Sequence, residues 1–330
     1  MKRVGYLYDK VMNIENVLIA WDIFNSRRPV KLRREVDVKY AEKILEGMKT
    51  DFASVIGRPR IKYIFESGKR RRLQIPSFKS TIAQTALWNV CGDYIDNRIH
   101  DNSFSSRLGK GGHMAAHKVE KFVHTNGNGD AKYCLYFDVR KYYQHIDKRI
   151  LMDRLSTIFK DERILEMFRT VIYSADDGLP IGYPFSHALA NLFLVPLYYN
   201  LHSIRGISRI YVYMDNWLVF SRNKKPLHNA LVSAKSWLGG VGCEVKHDWQ
   251  IFPTESRGVK VCGLVVSHGR TRLYDGIWHR IMRNFDRYRE NPTERLYLSL
   301  MSRLGWLKAI NFEYSPMFMI NGRFLWQKKK

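Results

Sequence analysis

Two short apolar runs in this chain end on an aspartate: Cys134-Leu-Tyr-Phe-Asp138 and Ile210-Tyr-Val-Tyr-Met-Asp215. The second is followed at once by Trp217-Leu-Val-Phe220, so Met214-Asp215-Asn216 reads as the tip of a β-hairpin. An isolated aspartate at a strand end or turn is most often a structural cap. A pair is different, because strands that are neighbours in one sheet project both carboxylates from the same edge. Clustered hard oxygen ligands suit Mg²⁺ when a substrate phosphate completes its shell. Two such ions about 4 Å apart can activate an attacking hydroxyl and stabilise a leaving pyrophosphate.

Charge narrows the partner. The 330 residues carry 55 Lys and Arg against 31 Asp and Glu, a formal net charge of +24. A polyanion is the expected partner, nucleic acid before an anionic membrane. The longest apolar stretch, Ala188 to Tyr199, is broken by Asn191 and Pro196 and is shorter than the roughly 18 residues of a spanning helix. Met1-Lys2-Arg3 is basic, but Asp9, Lys10, Asn13 and Glu15 interrupt any signal-like core, so a cytoplasmic protein without a membrane partner is expected. With 45% hydrophobic residues, 22 Gly and 10 Pro, wholesale disorder and collagen-like structure are excluded. Cys91, Cys134, Cys243 and Cys262 form no CxxC pair and read as small apolar core residues, not as a zinc site or disulfide framework.

Along the chain, Val11 to Phe24 has the spacing of one helix, as do residues 39–49 and 80–98. Ile61 to Pro76 predicts a β-hairpin turning at Ser67-Gly68, with Lys69, Arg70, Arg71 and Arg72 on the turn and return strand, placed for phosphates. Ser103 to His113 is a basic Gly-rich loop entering a helix, without the frame of a Walker A loop. Residues 126–130 form a turn, 147–173 are rich in helix, and 187–204 read as one long buried helix. Residues 226–239 are helical. Gly258 to Val266 and Arg270 to Tyr274 suggest another hairpin, and 275–326 are mostly helical, ending in Lys328-Lys329-Lys330. On 275–290, Trp278, His279, Arg280, Arg283, Arg287, Tyr288 and Arg289 supply cations and rings for a duplex, while Trp278, Ile281 and Phe285 can pack inward.

Several motifs in collinear order resemble a reverse transcriptase. Asp138-Val-Arg-Lys-Tyr-Tyr-Gln-His-Ile146 is similar to the family's first catalytic motif, Gly178-Leu-Pro-Ile-Gly182 running to Asn191 to its second, and Tyr213-Met-Asp-Asn216 to its Tyr-x-Asp-Asp motif. Gly258 to Val266 resembles the primer-grip hairpin, Arg71 and its neighbours the basic finger strand, and Ser103 to His113 the loop before the palm in intron-type enzymes. Within the family the chain is most similar to the group II intron-like bacterial and phage enzymes, above all those of diversity-generating retroelements. Ile181-Gly182, Trp249-Gln-Ile-Phe-Pro253 with Arg257-Gly-Val259, and a chain that stops after a short thumb carry that likeness.

The resemblance implies an α+β right-hand polymerase with fingers, a ferredoxin-like palm and a short helical thumb. Residues 1–130 would be N-terminal helices and fingers, 131–266 the palm, and 267–330 the thumb. It implies RNA-directed DNA synthesis from dNTPs with Mg²⁺, or Mn²⁺. Asp138, Asp215 and the Val139 carbonyl would hold metal, with Asn216 beside them. Tyr143 would block a ribose 2′-hydroxyl. Arg71 and Lys69 would hold the triphosphate, and Pro180, Ile181 and Gly182 would line the nucleotide pocket. Implied partners are an RNA template, the RNA/DNA hybrid, a non-coding RNA, and a small basic accessory protein or second subunit.

Three positions depart from the family pattern. Asn216 replaces the second Asp, Ser186-His187 replaces the Ser-Gln of diversity-generating enzymes, and Trp249 stands where a Lys often follows, leaving Lys246 or His247 as proton donor to pyrophosphate. Asn216 opens a second reading, a weakly active or inactive RNA-binding scaffold. The bulk of Tyr143 speaks against a third, an RNA-copying polymerase. Retroelement diversification and antiphage defence with a structured RNA both fit the chain.

Overall fold

The computed structural model describes residues 2–66, 68–309, 319–320 and 323–324, with side chains described through residue 302 except at 66 and 69. The N-terminal segment expected as one helix is two, α1 (Tyr8–Val11) and α2 (Ile14–Ser26). The break is local chemistry: Asn13 is extended, and its side chain accepts the Glu15 N–H at 2.8 Å, capping α2. Helices α3 (Val38–Thr50) and α4 (Phe52–Ile56) are capped by Asp37 and Asp51 in the same way. Strands β1 (Arg60–Glu66) and β2 (Lys69–Ile75) form the expected antiparallel hairpin. Helix α5 (Phe78–Asp96), capped by Ser77, packs on α2, with the Phe78 ring 4.8 Å from Trp21 and 4.9 Å from Phe24.

Helix α6 (Gly112–Asn126) follows the Gly-rich loop and leads to β3 (Tyr133–Asp138). Then come α7 (Tyr142–His145), α8 (Lys148–Ser156) and α9 (Glu162–Tyr173). The segment expected as one long helix is α10 (Ser186–Phe193) and α11 (Val195–His202). Pro196 sits in the first turn of α11, and without an N–H it cannot continue the ladder from α10. Strands β4 (Arg209–Tyr213) and β5 (Asn216–Ser221), helix α12 (Lys224–Gly240), strand β6 (Gln250–Pro253) and helix α13 (Thr254–Arg257) complete this part. The expected second hairpin is a three-stranded meander of β7 (Val259–Val261), β8 (Leu264–Ser267) and β9 (Arg270–Leu273). Helices α14 (Asp275–Glu290) and α15 (Glu294–Ala309) follow. Beyond them the expected helix gives way to two short paired strands, β10 (Met319–Ile320) and β11 (Arg323–Phe324), and Lys328 to Lys330 lie outside the described residues.

The central sheet has the order β4-β5-β3-β6, antiparallel throughout. Both faces are apolar. Leu135, Phe137, Trp217, Val219, Ile210 and Val212 enter the larger core, shared with α2, α5 and the helices from α8 to α12. Cys134, Tyr211, Leu218, Phe220 and Phe252 enter a second core with α6, the β7–β9 meander and α14. Phe137 and Trp217 stack at 5.6 Å across the β3–β5 pair. Each such aromatic, fully buried, contributes on the order of 2–3 kcal/mol, so the register that places the two aspartates is fixed by its neighbours in the core. On α14, Ile281 and Phe285 are buried while His279, Arg280, Arg283, Arg287 and Arg289 are exposed, so core packing and a cationic face share one helix. The four cysteines are free thiols. No helix among the described residues is long and apolar enough to cross a membrane.

Candidate active site

Asp138 ends β3 and pairs across the ladder with Asn216, the first residue of β5. Tyr213 pairs with the same Asn216, so Met214 and Asp215 form a two-residue turn at that edge. Met214 adopts φ 58°, a left-handed conformation that costs a non-glycine residue about 1 kcal/mol or more. The ladder on both sides holds it there. The next backbone link closes the site: Val139 N–H donates to the Asp215 carbonyl at 3.2 Å, and Lys246 N–H donates to the Asp138 carbonyl at 2.8 Å. Sequence reasoning placed the two carboxylates on one edge, and the register puts them there.

The side chains make an uneven charge field. Asp138 is pushed up to about 6, first by burial and then by the Asp215 carboxylate, with Lys246 opposing. Asp215 is also raised, by burial above all, while Arg71 and Lys246 pull it down. Lys246 Nζ lies 3.6 Å from Asp138 Oδ2 and 2.5 Å from Asp248 Oδ2. Of the two residues weighed as proton donors, Lys246 is therefore at the carboxylates, whereas His247 is exposed. Asn216 is built in through both ends of its amide. Tyr136 donates its phenol to Asn216 Oδ1 at 2.7 Å, and Asn216 Nδ2 donates to Asp215 Oδ1 at 3.2 Å. Burial and the nearby Asp138 charge push Tyr136 up to about 12, which keeps it a donor. This chain was not foreseen, although strand alternation already put Tyr136 on the face of Asp138.

The nucleotide-pocket candidates converge from other elements. Gln74 of β2 donates its N–H to the Ile181 carbonyl at 2.8 Å, which ties the basic hairpin to the loop of Pro180, Ile181 and Gly182. Gly182 has φ +120°, and a Cβ there would lie 2.6 Å from the Gln74 carbonyl oxygen. Arg71 is close enough for its charge to act on Asp215. Its neighbour Arg72 instead pairs with Asp176 at 2.7 Å. The side chain of Lys69 lies outside the described residues. Tyr143, on α7, lies near enough to Asp215 to feel its charge, and its phenol meets His187 Nδ1.

Two adjoining carboxylates, one of them raised to about 6, carry negative charge that a divalent cation would relieve. Among the described residues no group of three or more His, Cys, Asp or Glu could hold a metal alone. A metal held at these two carboxylates would need phosphate or water to complete its shell. A metal bound here would compete with the proton on Asp138, so its affinity is expected to fall as the pH drops below about 6. Calorimetric titration of the free protein with Mn²⁺ at pH 5, 6 and 7.5 measures this, and equal affinity at pH 5 and 7.5 would contradict it.

Comparison with known proteins agrees with this geometry. The profile described as reverse transcriptase (RNA-dependent DNA polymerase) matches residues 61–266, well over half of the chain. No curated protein matches the sequence. Among solved structures, apo telomerase from Candida tropicalis superposes with a TM-score of 0.53 at 12% identity, covering 83% of this chain and 58% of that one. Telomerase from Candida albicans, in complex with a TWJ fragment of telomeric RNA, gives 0.53 at 12% identity, covering 81% and 57%. The chain thus spans less than two thirds of the length of these telomerases, and at such identities the likeness is one of fold, that of a right-hand polymerase. The family works with divalent metal ions and deoxynucleoside triphosphates. On the profile match, with the paired strand-end aspartates beneath it, this chain belongs to the reverse transcriptase family.

Proposed function

We propose that the protein copies an RNA template into DNA at the edge formed by β3 and the β4–β5 turn, with residues 1–130 as N-terminal helices and fingers, 131–266 as palm and 267–330 as thumb. The observation that carries this is the Asp138–Asn216 register with Asp215 in the adjoining turn. Asp138, Asp215 and the Val139 carbonyl would hold Mg²⁺, or Mn²⁺, which would supply Lewis acidity for nucleotidyl transfer. Arg71, with Lys69, binds the triphosphate. Pro180, Ile181 and Gly182 form the pocket floor, and Tyr143 excludes a 2′-hydroxyl. Lys246, held between Asp138 and Asp248, is placed to protonate the leaving pyrophosphate. The exposed arginines of α14 grip the template–primer duplex through its phosphates.

Asn216 favours the other reading, a weakly active scaffold, because a carboxamide brings no negative charge. The hydrogen-bonded Tyr136–Asn216–Asp215 chain supports activity instead, since it keeps Asp215 Oδ1 oriented without a second acid. Primer extension on an RNA template with dNTPs and then NTPs, in Mg²⁺ and in Mn²⁺, tests this. DNA product is expected in both metals. Asn216→Asp is expected to lower the Mg²⁺ needed for half-maximal rate by severalfold, and absence of product from both proteins would leave the scaffold reading. The setting we propose is that of a group II intron-like bacterial or phage enzyme, with a non-coding RNA and an accessory subunit as partners. A template and variable repeat beside the gene would mark diversification, and a cluster of defence genes would mark antiphage action.

A further inference from the structure

Tyr143 is held at both ends by one stretch of chain. Its carbonyl accepts the Leu179 N–H at 2.7 Å, and Gly178 packs so close that a Cβ there would lie 2.1 Å from that oxygen. At its other end the phenol meets His187 Nδ1 at 2.5 Å, with the two rings edge-on at 82° and their centroids 5.6 Å apart. His187 is the second residue of α10, so the contact ties the tyrosine to a helix whose neighbours Ser186, Ala188 and Leu189 are buried. Burial lowers the imidazole pKa and raises that of the phenol, so a neutral imidazole and an intact O–H share the hydrogen bond.

A ring that selects by bulk works only if it cannot swing aside. A tyrosine side chain turns about two bonds, and backbone anchoring fixes neither of them. The hydrogen bond at the far tip restrains rotation about Cα–Cβ, which moves the phenol oxygen furthest, and the edge-on His187 ring limits rotation about Cβ–Cγ, which leaves that oxygen in place. We infer that His187 is a specificity-determining positioning residue, locking the Tyr143 ring across the path of a 2′-hydroxyl and so setting the preference for deoxynucleotides. The inference rests on reading Tyr143 as the sugar gate, and it gives a physical role to His187, which stands where diversity-generating enzymes have Gln.

The test is single-nucleotide incorporation on an RNA template and DNA primer by the full chain, reading kcat and KM for one dNTP and its NTP. His187→Ala is expected to cut the dNTP-over-NTP ratio of kcat/KM about tenfold, the worth of one hydrogen bond. The change should appear mainly as a lower KM for the NTP. His187→Asn should recover most of the ratio, because its amide, acceptor and donor both, stands near the place of Nδ1. Tyr143→Phe removes the same bond from the other side, so it should match His187→Ala, and the double variant should lose no more than either single one. It also serves as the test if His187→Ala fails to fold. Tyr143→Val separates the two ideas. If it relaxes selection while His187→Ala and Tyr143→Phe do not, the lock is wrong and the gate stands. If it leaves selection unchanged, the gate falls and the lock with it.

Discussion

Asp215→Ala is expected to reduce nucleotide incorporation by about a thousandfold or more, because the proposed role of Asp215 is to hold metal, and losing such a ligand removes several kcal/mol of transition-state stabilisation. Asp138→Ala should do the same. Neither residue belongs to either apolar core, and both are joined to the sheet through backbone hydrogen bonds that alanine keeps. Binding of an RNA–DNA template–primer, measured by fluorescence anisotropy, should therefore stay within about threefold of the unaltered protein, since phosphate contacts from the exposed arginines supply most of it. Removing Asp215 also relieves the repulsion that raises Asp138, so the thermal midpoint of that variant should hold or rise. A parallel loss of binding and midpoint would show that these aspartates act as caps instead.

Gly182→Ala should produce the next largest effect, through geometry alone. The residue sits at φ +120° with its missing Cβ aimed at the Gln74 carbonyl, a backbone atom that cannot rotate away. Strain of this kind costs about 1–3 kcal/mol, and relief requires β2 to part from Ile181. Arg71 lies three residues up the same strand from Gln74, so the displacement carries Arg71, the proposed triphosphate ligand, away from the carboxylates. The dNTP KM is expected to rise at least about tenfold, with a smaller fall in kcat. Denaturant titration should show destabilisation in the range just given. Unaltered KM and stability together would mean that the junction between hairpin and loop does not position Arg71.

The elements that carry these predictions differ in how plainly the sequence announces them. Strand-end aspartates on apolar runs, the basic hairpin and the Leu179-Pro-Ile-Gly182 loop are local signals, and the fold, the pairing of the two runs and the polymerase class follow from them. Breaks at Asn13 and Pro196 were equally local, yet continuous apolar spacing on either side masked them. Strand β6 carries only Gln250 to Pro253 and is strand because β3 lies beside it. The Tyr136–Asn216 and Tyr143–His187 contacts join residues 80 and 44 apart in sequence. No pattern along one chain displays a pair of that kind. Lys246 shows the intermediate case: its neighbourhood suggested a proton donor, and only the fold, which brings the residues after Glu244 back against Asp138, distinguishes it from His247.

The sheet that bears the aspartates has no solvent face along most of its width; it is a partition with an apolar core on each side. Neither core can melt without stripping one face of the strands the other core needs. The two clusters are therefore thermodynamically linked, and heat should unfold them in one transition instead of two. A duplex lying against the exposed side of α14 contacts the smaller cluster only, yet any free energy it adds there is shared across the partition. Template–primer should accordingly raise the melting temperature of the N-terminal helices, which it need not touch.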